Sequence, residues 1–309
     1  MDTWPALPYA EWKNTFETLR LWLQIIGKVR LVQSPWVNHQ WHVALYVTAR
    51  GLTTSPIPHG VRTFQIDFDF IDQQLAIYVD DGRSRRLGLE PQSVANFYRR
   101  VMAMLAELEL PVKISRKPNE VPEAIPLDED ERHKTYDAEA AARFWRVLVQ
   151  VDRLFKEFRS RFIGKCSPVH LFWGAGDLAV TRFSGRRAPT HPGGFPNMPD
   201  ELIREAYSHE CSSVGFWPGG EQAPYPFFFA YAYPAPAGFP EARVRPAQAR
   251  FDVRLGEFVL PYDAVRESAD PDAALLDFAQ STYEAAANLA GWDRAGLERP
   301  AIRGRSPNF

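Results

Sequence analysis

The chain has 309 residues, 45% apolar and 13% aromatic, with a formal net charge of −2 and an isoelectric point of about 6.4. A balance so close to neutral carries no global positive field, which excludes general attraction to nucleic acid or to an anionic membrane. Two cysteines, Cys166 and Cys211, are too few for a disulfide framework or a Cys-rich zinc site and suit a reducing compartment.

The first thirteen residues are acidic and aromatic, without the charged, apolar and small regions of a signal peptide. No apolar run reaches the ~18–20 residues of a membrane span. The expectation is a cytoplasmic protein. In chain order, a helix is predicted from Tyr9 to Lys28, with Trp12, Phe16, Leu19, Leu23 and Ile26 forming one apolar face. Ile26-Gly27-Lys28 reads as its stop, because Gly accepts the left-handed cap conformation and Lys suits the helix C-terminus. Ser34-Pro35 then leads into a strand over 38–48. Phe64 to Tyr78 alternates apolar with polar residues as a half-buried strand does, Asp80-Asp81-Gly82 reads as a turn, and 93–108 as a helix.

Residues 111–137 are Pro-rich and acidic and read as a connector. A second long helix is predicted over 138–163, with Phe144, Leu148, Val151, Phe155, Phe158 and Phe162 inward, and it ends in Ile163-Gly164-Lys165. Ser167-Pro168 follows, then strands near 214–217, 227–233 and 249–260 and a closing helix over 272–290. The tail from 293 to 309 is polar and basic.

The stretches 34–60 and 167–193 align without a gap at a constant offset of 133, with seven identities, among them Ser34/Ser167, Pro35/Pro168 and Gly60/Gly193. With the helix before each, this predicts an α+β fold that is internally duplicated. Two helix–antiparallel sheet–helix halves, 1–110 and 138–292, would be related by a pseudo-twofold. A duplicated chain contains its own dimer, so a monomer is expected.

Four stretches are distinctive: SPWVNHQWH (34–42), FQIDFDF (64–70), FSGRRAPTHPGG (183–194) and EAYSHE (205–210). On these the chain resembles a bacterial family of stand-alone proteins known only as a domain of unknown function. The resemblance implies no catalytic residues.

Chemistry is therefore sought residue by residue. His170, His191 and His209 with Glu205 or Glu210 form a candidate site for one divalent metal ion, since Glu205 and His209 would stand one turn apart on a helix over 199–210. The competing reading makes Glu205–His209 a helix-surface pair and His170 a hydrogen-bonded core residue. The loop 184–194 offers Arg186 and Arg187, whose guanidinium forks suit a carboxylate or phosphate, so a small anionic molecule is the expected partner. Asp67 and Asp69 share one strand face and would hold a metal, work as an acid–base pair or anchor those arginines, or else simply face solvent. His42, in the polar row of its strand, and Trp173, in the aromatic surplus, complete the substrate-binding candidates. Three functions compete: a metal-dependent enzyme acting on an anion, a metal-free anion-binding protein or acid–base enzyme, and a structural or partner-binding protein.

Overall fold

The first helix, α1, runs from Tyr9 to Gln33, past the expected stop. It ends where Pro35 forces Ser34 into extended backbone. Gly27 serves packing instead: a Cβ there would lie inside the indole of Trp173. Every residue from Leu21 to Arg30 is buried, so α1 has no solvent face over that stretch. The structure, a computed structural model, describes residues 3–121 and 123–299.

After α1 the expected strand over 38–48 is mostly absent. Asn38–Gln40 is a single 3₁₀ turn in which His39 and Gln40 take positive φ, 59° and 63°, conformations that non-glycine residues adopt only at a cost. The first sheet follows, with β1 (Tyr46–Val47), β2 (Gly51–Thr53), β3 (Ile57–His59), β4 (Arg62–Asp69), β5 (Gln74–Val79) and β6 (Ser84–Gly88). Its order is β1-β2-β4-β5-β6, all antiparallel, with β3 pairing the start of β4. The alternation of β4 is realised: Phe64, Ile66 and Phe68 are buried, while Gln65, Asp67 and Asp69 lie on the other face. Helix α2 (Val94–Glu107) is capped by the Ser93 side chain and stacks Phe97 on Trp22 of α1 at 4.6 Å.

Helix α3 (Ala138–Ser160) opens on Asp137, whose carboxylate accepts the Glu139 and Ala140 N–H groups. The second sheet comprises β7 (His170–Phe172), β8 (Asp177–Arg187), β9 (His209–Trp217), β10 (Phe227–Tyr233), β11 (Arg250–Asp252) and β12 (Glu257–Pro261), in the order β11-β12-β10-β9-β8-β7. Between β8 and β9 lies the short helix α4 (Asp200–Ala206). His209 begins β9, so Glu205 and His209 do not share a helix as expected. Helices α5 (Tyr262–Arg266), α6 (Pro271–Leu289) and α7 (Arg294–Leu297) complete the chain. The described part of the polar tail packs back on the chain: Leu297 C=O accepts the Ile163 N–H at 2.8 Å. The rest of it lies outside the described residues.

The two sheets meet edge to edge. Leu45 and Leu171 exchange both backbone hydrogen bonds at 2.9 Å, beside β1 and β7. One face of the second sheet, with Leu178, Val180, Phe216, Phe228 and Leu260, joins the main core against α3 and α6. The other face, with Ala179, Phe227, Phe229 and Val259, forms a separate small cluster. The fold is thus α+β with two antiparallel sheets. At the offset of 133, however, the 3₁₀ turn 38–40 matches the strand segment 171–173, and edge strand β1 matches positions 179–180 of interior strand β8. The residue-by-residue correspondence is not carried by the local folds.

Gly27→Ala tests the packing claim. Overpacking costs about 1–3 kcal/mol against a helix-propensity gain of about 1 kcal/mol, so a net loss of up to about 2 kcal/mol is expected in urea unfolding. Unchanged or increased stability would show that Trp173 is free to move aside.

Candidate functional site

The face of the second sheet away from the main core is covered by other elements of the chain. A cavity of about 320 Å³ lies over it. Its floor is Asp177, Ala179, Thr181 and Phe183 of β8, Cys211 and Ser213 of β9, and Phe229 and Tyr231 of β10. Antiparallel register puts these side by side, Thr181 opposite Ser213 and Ser213 opposite Tyr231. The roof is Leu202, Ile203 and Ala206 of α4, Tyr207 just after it, and Phe195 and Met198 before it. One wall is the connector, at Asn119 and Glu120. The opposite wall is the arc from His39 to Val43, with Leu31 and Trp173.

Each wall is tied down by name. The Glu205 carboxylate accepts the Trp36 indole N–H at 3.2 Å and the Gln40 amide at 2.9 Å, fastening α4 to the arc. The His39 Nδ1–H donates to Ala206 C=O at 2.9 Å, and its Nε2 accepts from the Lys165 ammonium at 2.7 Å. On the connector side, Glu120 N–H donates to Pro196 C=O at 3.0 Å, and the Asn197 amide donates to Val121 C=O at 2.7 Å. Trp173 is held by its indole N–H on Val43 C=O at 2.8 Å.

The expected site residues are mostly elsewhere. Trp173 lines the cavity. His42 is buried beside it, stacked on Trp36 and accepting the Val37 N–H at Nδ1, a structural position. Asp67 and Asp69 stay on the outer face of the first sheet: Gln65 donates to Asp67, and Asp69 pairs with Arg50 at 2.6 Å. Arg186 does not enter the cavity. It pairs with Glu210 at 2.7 Å and donates to Ala290 C=O at 2.7 Å, closing the C-terminal end of α6. Arg187 is exposed, and neither arginine lines the cavity.

The metal set does not converge. His170 is fully buried at the seam between the sheets, its Nε2 3.4 Å from the Tyr46 hydroxyl. His191 stacks on Tyr207, 4.8 Å between rings, and on Tyr233. His209 faces His39, 5.8 Å between rings. Glu205 and Glu210 are engaged as described. Among the described residues no group of three or more His, Cys, Asp or Glu side chains is placed to hold a metal ion. Glu205 and His209 part because α4 ends at Tyr207 and β9 begins at His209, which leaves Glu205 on the roof helix and His209 in the sheet.

A family model matches residues 4–299. The chain belongs to DUF5996, a family of unknown function. No curated protein and no solved structure matches it.

The residues that sequence reasoning missed are Glu120, Asp177, Tyr207 and Tyr231. Burial in the cavity, then the neighbouring Glu120 and Glu257 carboxylates, push the Asp177 carboxyl up to about 8. Burial also raises Glu120, against the opposing influence of Arg20. The Tyr207 and Tyr231 hydroxyls lie 3.0 Å apart, and burial raises both. Cys211, also on the floor, is pushed up to about 12 by burial, so it stays a thiol and is no nucleophile. A signal did exist in the sequence. Asp177, Ala179 and Thr181 alternate along β8 as Cys211, Ser213 and Gly215 do along β9, and such a small, partly polar row makes a poor core face.

The raised Asp177 value carries a stability consequence. Its folded form holds a proton that the unfolded chain releases near pH 4, so its contribution is full below that pH and is lost as pH rises towards 8. Asp177→Asn cannot ionise and is therefore expected to gain more stability at pH 8 than at pH 5. The difference should be about 1–2 kcal/mol once water in the cavity is allowed for. Thermal unfolding of both proteins at both pH values checks it, and equal effects would show an ordinary carboxylate.

Proposed function

We propose that this protein binds a small, largely apolar organic molecule in the cavity over the second sheet. One observation carries the reading: about 320 Å³ of space, walled mainly by aromatic and aliphatic side chains, with Glu120, Asp177, Tyr207 and Tyr231 among the residues that line it. Ligand sites have this composition, with apolar walls supplying affinity and a few polar groups supplying orientation. The cavity's described lining includes no Lys or Arg, so the ligand is not selected as an anion through Arg186 or Arg187. Among the described residues the metal-dependent reading has no ligand set to stand on. We also infer that the two halves are versions of one helix–sheet–helix unit, supported by the like order of elements and by the sheets meeting at their first strands. The free thiols of Cys166 and Cys211 suit the cytoplasm.

A second reading, an acid–base enzyme, is favoured by the Asp177–Glu120 pair. Two acids of raised pKa in an apolar cavity are the arrangement in which one donates and the other accepts a proton.

Ala179 lies in the middle of the floor, so Ala179→Phe fills the space from a backbone that does not need to move. The neutral fluorophore N-phenyl-1-naphthylamine is expected to brighten with the parent protein and not with this variant. Both should melt within a few degrees of each other, since the new ring enters empty volume. Equal brightening of both proteins, or of neither, would sink the cavity as the binding site.

A further inference from the structure

Resting on that cavity reading, we propose that the ligand is an organic amine, its ammonium group seated at Asp177 and its apolar body against the aromatic walls. The charges around Asp177 set the sign. Glu120 from the connector and the phenol of Tyr207 after α4 line the same cavity, and Glu257 of β12, outside the lining, adds only the weakest acidic influence on it. Two cations stand near the connector wall, and neither is among the charges acting on Asp177. Arg20 of α1 faces Glu120, and the Lys28 ammonium is bound to the Asn119 side chain. An anion at Asp177 would meet the Glu120 carboxyl as well as that of Asp177, with no Lys or Arg in the cavity's described lining; a cation beside Asp177 is the charge that is missing.

The walls suit the same ligand. Trp173, Phe172, Phe229, Tyr207 and Tyr231 surround the space, and aromatic faces attract an ammonium while also packing its hydrocarbon part. The two phenolic oxygens, 3.0 Å apart, offer lone pairs to an N–H donor. The volume is near the lower end of the roughly 300–1,000 Å³ range of small-molecule sites, which fits a single aromatic ring with a short aminoalkyl chain.

Proton balance follows. Asp177 is held protonated at neutral pH by burial and its acidic neighbours, so an entering ammonium ion displaces that proton to solvent and forms an ammonium–carboxylate pair. Affinity should therefore rise with pH, by up to about tenfold per unit between pH 6 and 8, and level off above 8 while the amine stays charged.

The test is calorimetric titration of the full chain with three probes of one shape: 2-phenylethylamine, 2-phenylethanol and 3-phenylpropanoate. The amine is expected to bind at least about tenfold more tightly than the alcohol, with the acid weakest and with about one proton released per amine bound at pH 7. Asp177→Asn should reduce the amine to the affinity of the alcohol. If that variant does not fold, the pH dependence and proton release of the unsubstituted chain decide the matter alone. Alcohol or acid binding as tightly as the amine, or amine binding without proton release, overturns the amine and leaves the cavity reading standing. No binding by any of the three overturns both.

Discussion

Three polar side chains of α1, Gln24, Lys28 and Arg30, are buried where a long helix would ordinarily bury only hydrocarbon. An unpaired amide in that position costs about 1–3 kcal/mol, so each side chain dictates what must lie beside it. Gln24 takes the Asn119 N–H on its oxygen at 2.8 Å and donates to Asn119 C=O and Gly174 C=O at 2.9 and 3.2 Å. Lys28 donates to the Asn119 side chain and lies over Trp173. Arg30 donates to His42 C=O at 2.8 Å and to Thr54 C=O. One helix thereby locates the connector, the second half and the first half at once. The connector, Pro-rich and acidic, would otherwise have no reason to hold a fixed course. Because it does, Glu120 stands at the cavity instead of in solvent.

The seam between the sheets does the rest of the positioning. Leu45 and Leu171 are joined by two hydrogen bonds, and the arc before Leu45 is thereby drawn over the second sheet. The positive φ of His39 and Gln40 turns the chain sharply enough to bring Trp41 and Val43 to the cavity wall. Such conformations cost of order 1–3 kcal/mol each and persist only where the surroundings hold them. Here the holders are the Ala206 carbonyl and the Glu205 carboxylate. The first half of the chain therefore supplies a wall to a site whose floor belongs wholly to the second.

Charge is distributed accordingly. Arg186 closes a helix end, and Arg182 lies buried among the rings of Phe158, Phe162 and Tyr283. Burial holds His170 down to about 3, with Arg30 and Arg159 adding to the effect, so its ring is neutral and belongs to the packing of the seam. Cations stabilise the scaffold, while the acids Asp177 and Glu120 line a cavity whose described lining has no Lys or Arg. An apolar space holding an acid such as Asp177, which no cation offsets, is costly to fold, which is why its chemistry reads as a site more readily than as core.

The α+β class, the long helices, the alternation of β4, the Asp80–Gly82 turn and the strand at 227–233 were all legible in the sequence, because each rests on contacts between residues near one another in the chain. The family likeness, resting on whole motifs, was legible too. The site was not. Glu120 in an acidic connector looks solvated until Gln24 pins its neighbour, and Asp177 after a Gly-Ala-Gly run looks like a turn residue until α4 is laid over it. Gly27 looked like a helix stop because its real constraint, the Trp173 ring, lies 146 positions away. The histidines looked like a set because they are close in sequence, yet His170 lies in β7, His191 in the loop after β8 and His209 at the start of β9, each with different neighbours. Local pattern determined the elements of this protein. Which side chains share a cavity was decided by the buried polar bonds of α1 and the pairing of Leu45 with Leu171, contacts between distant residues that no local pattern encodes.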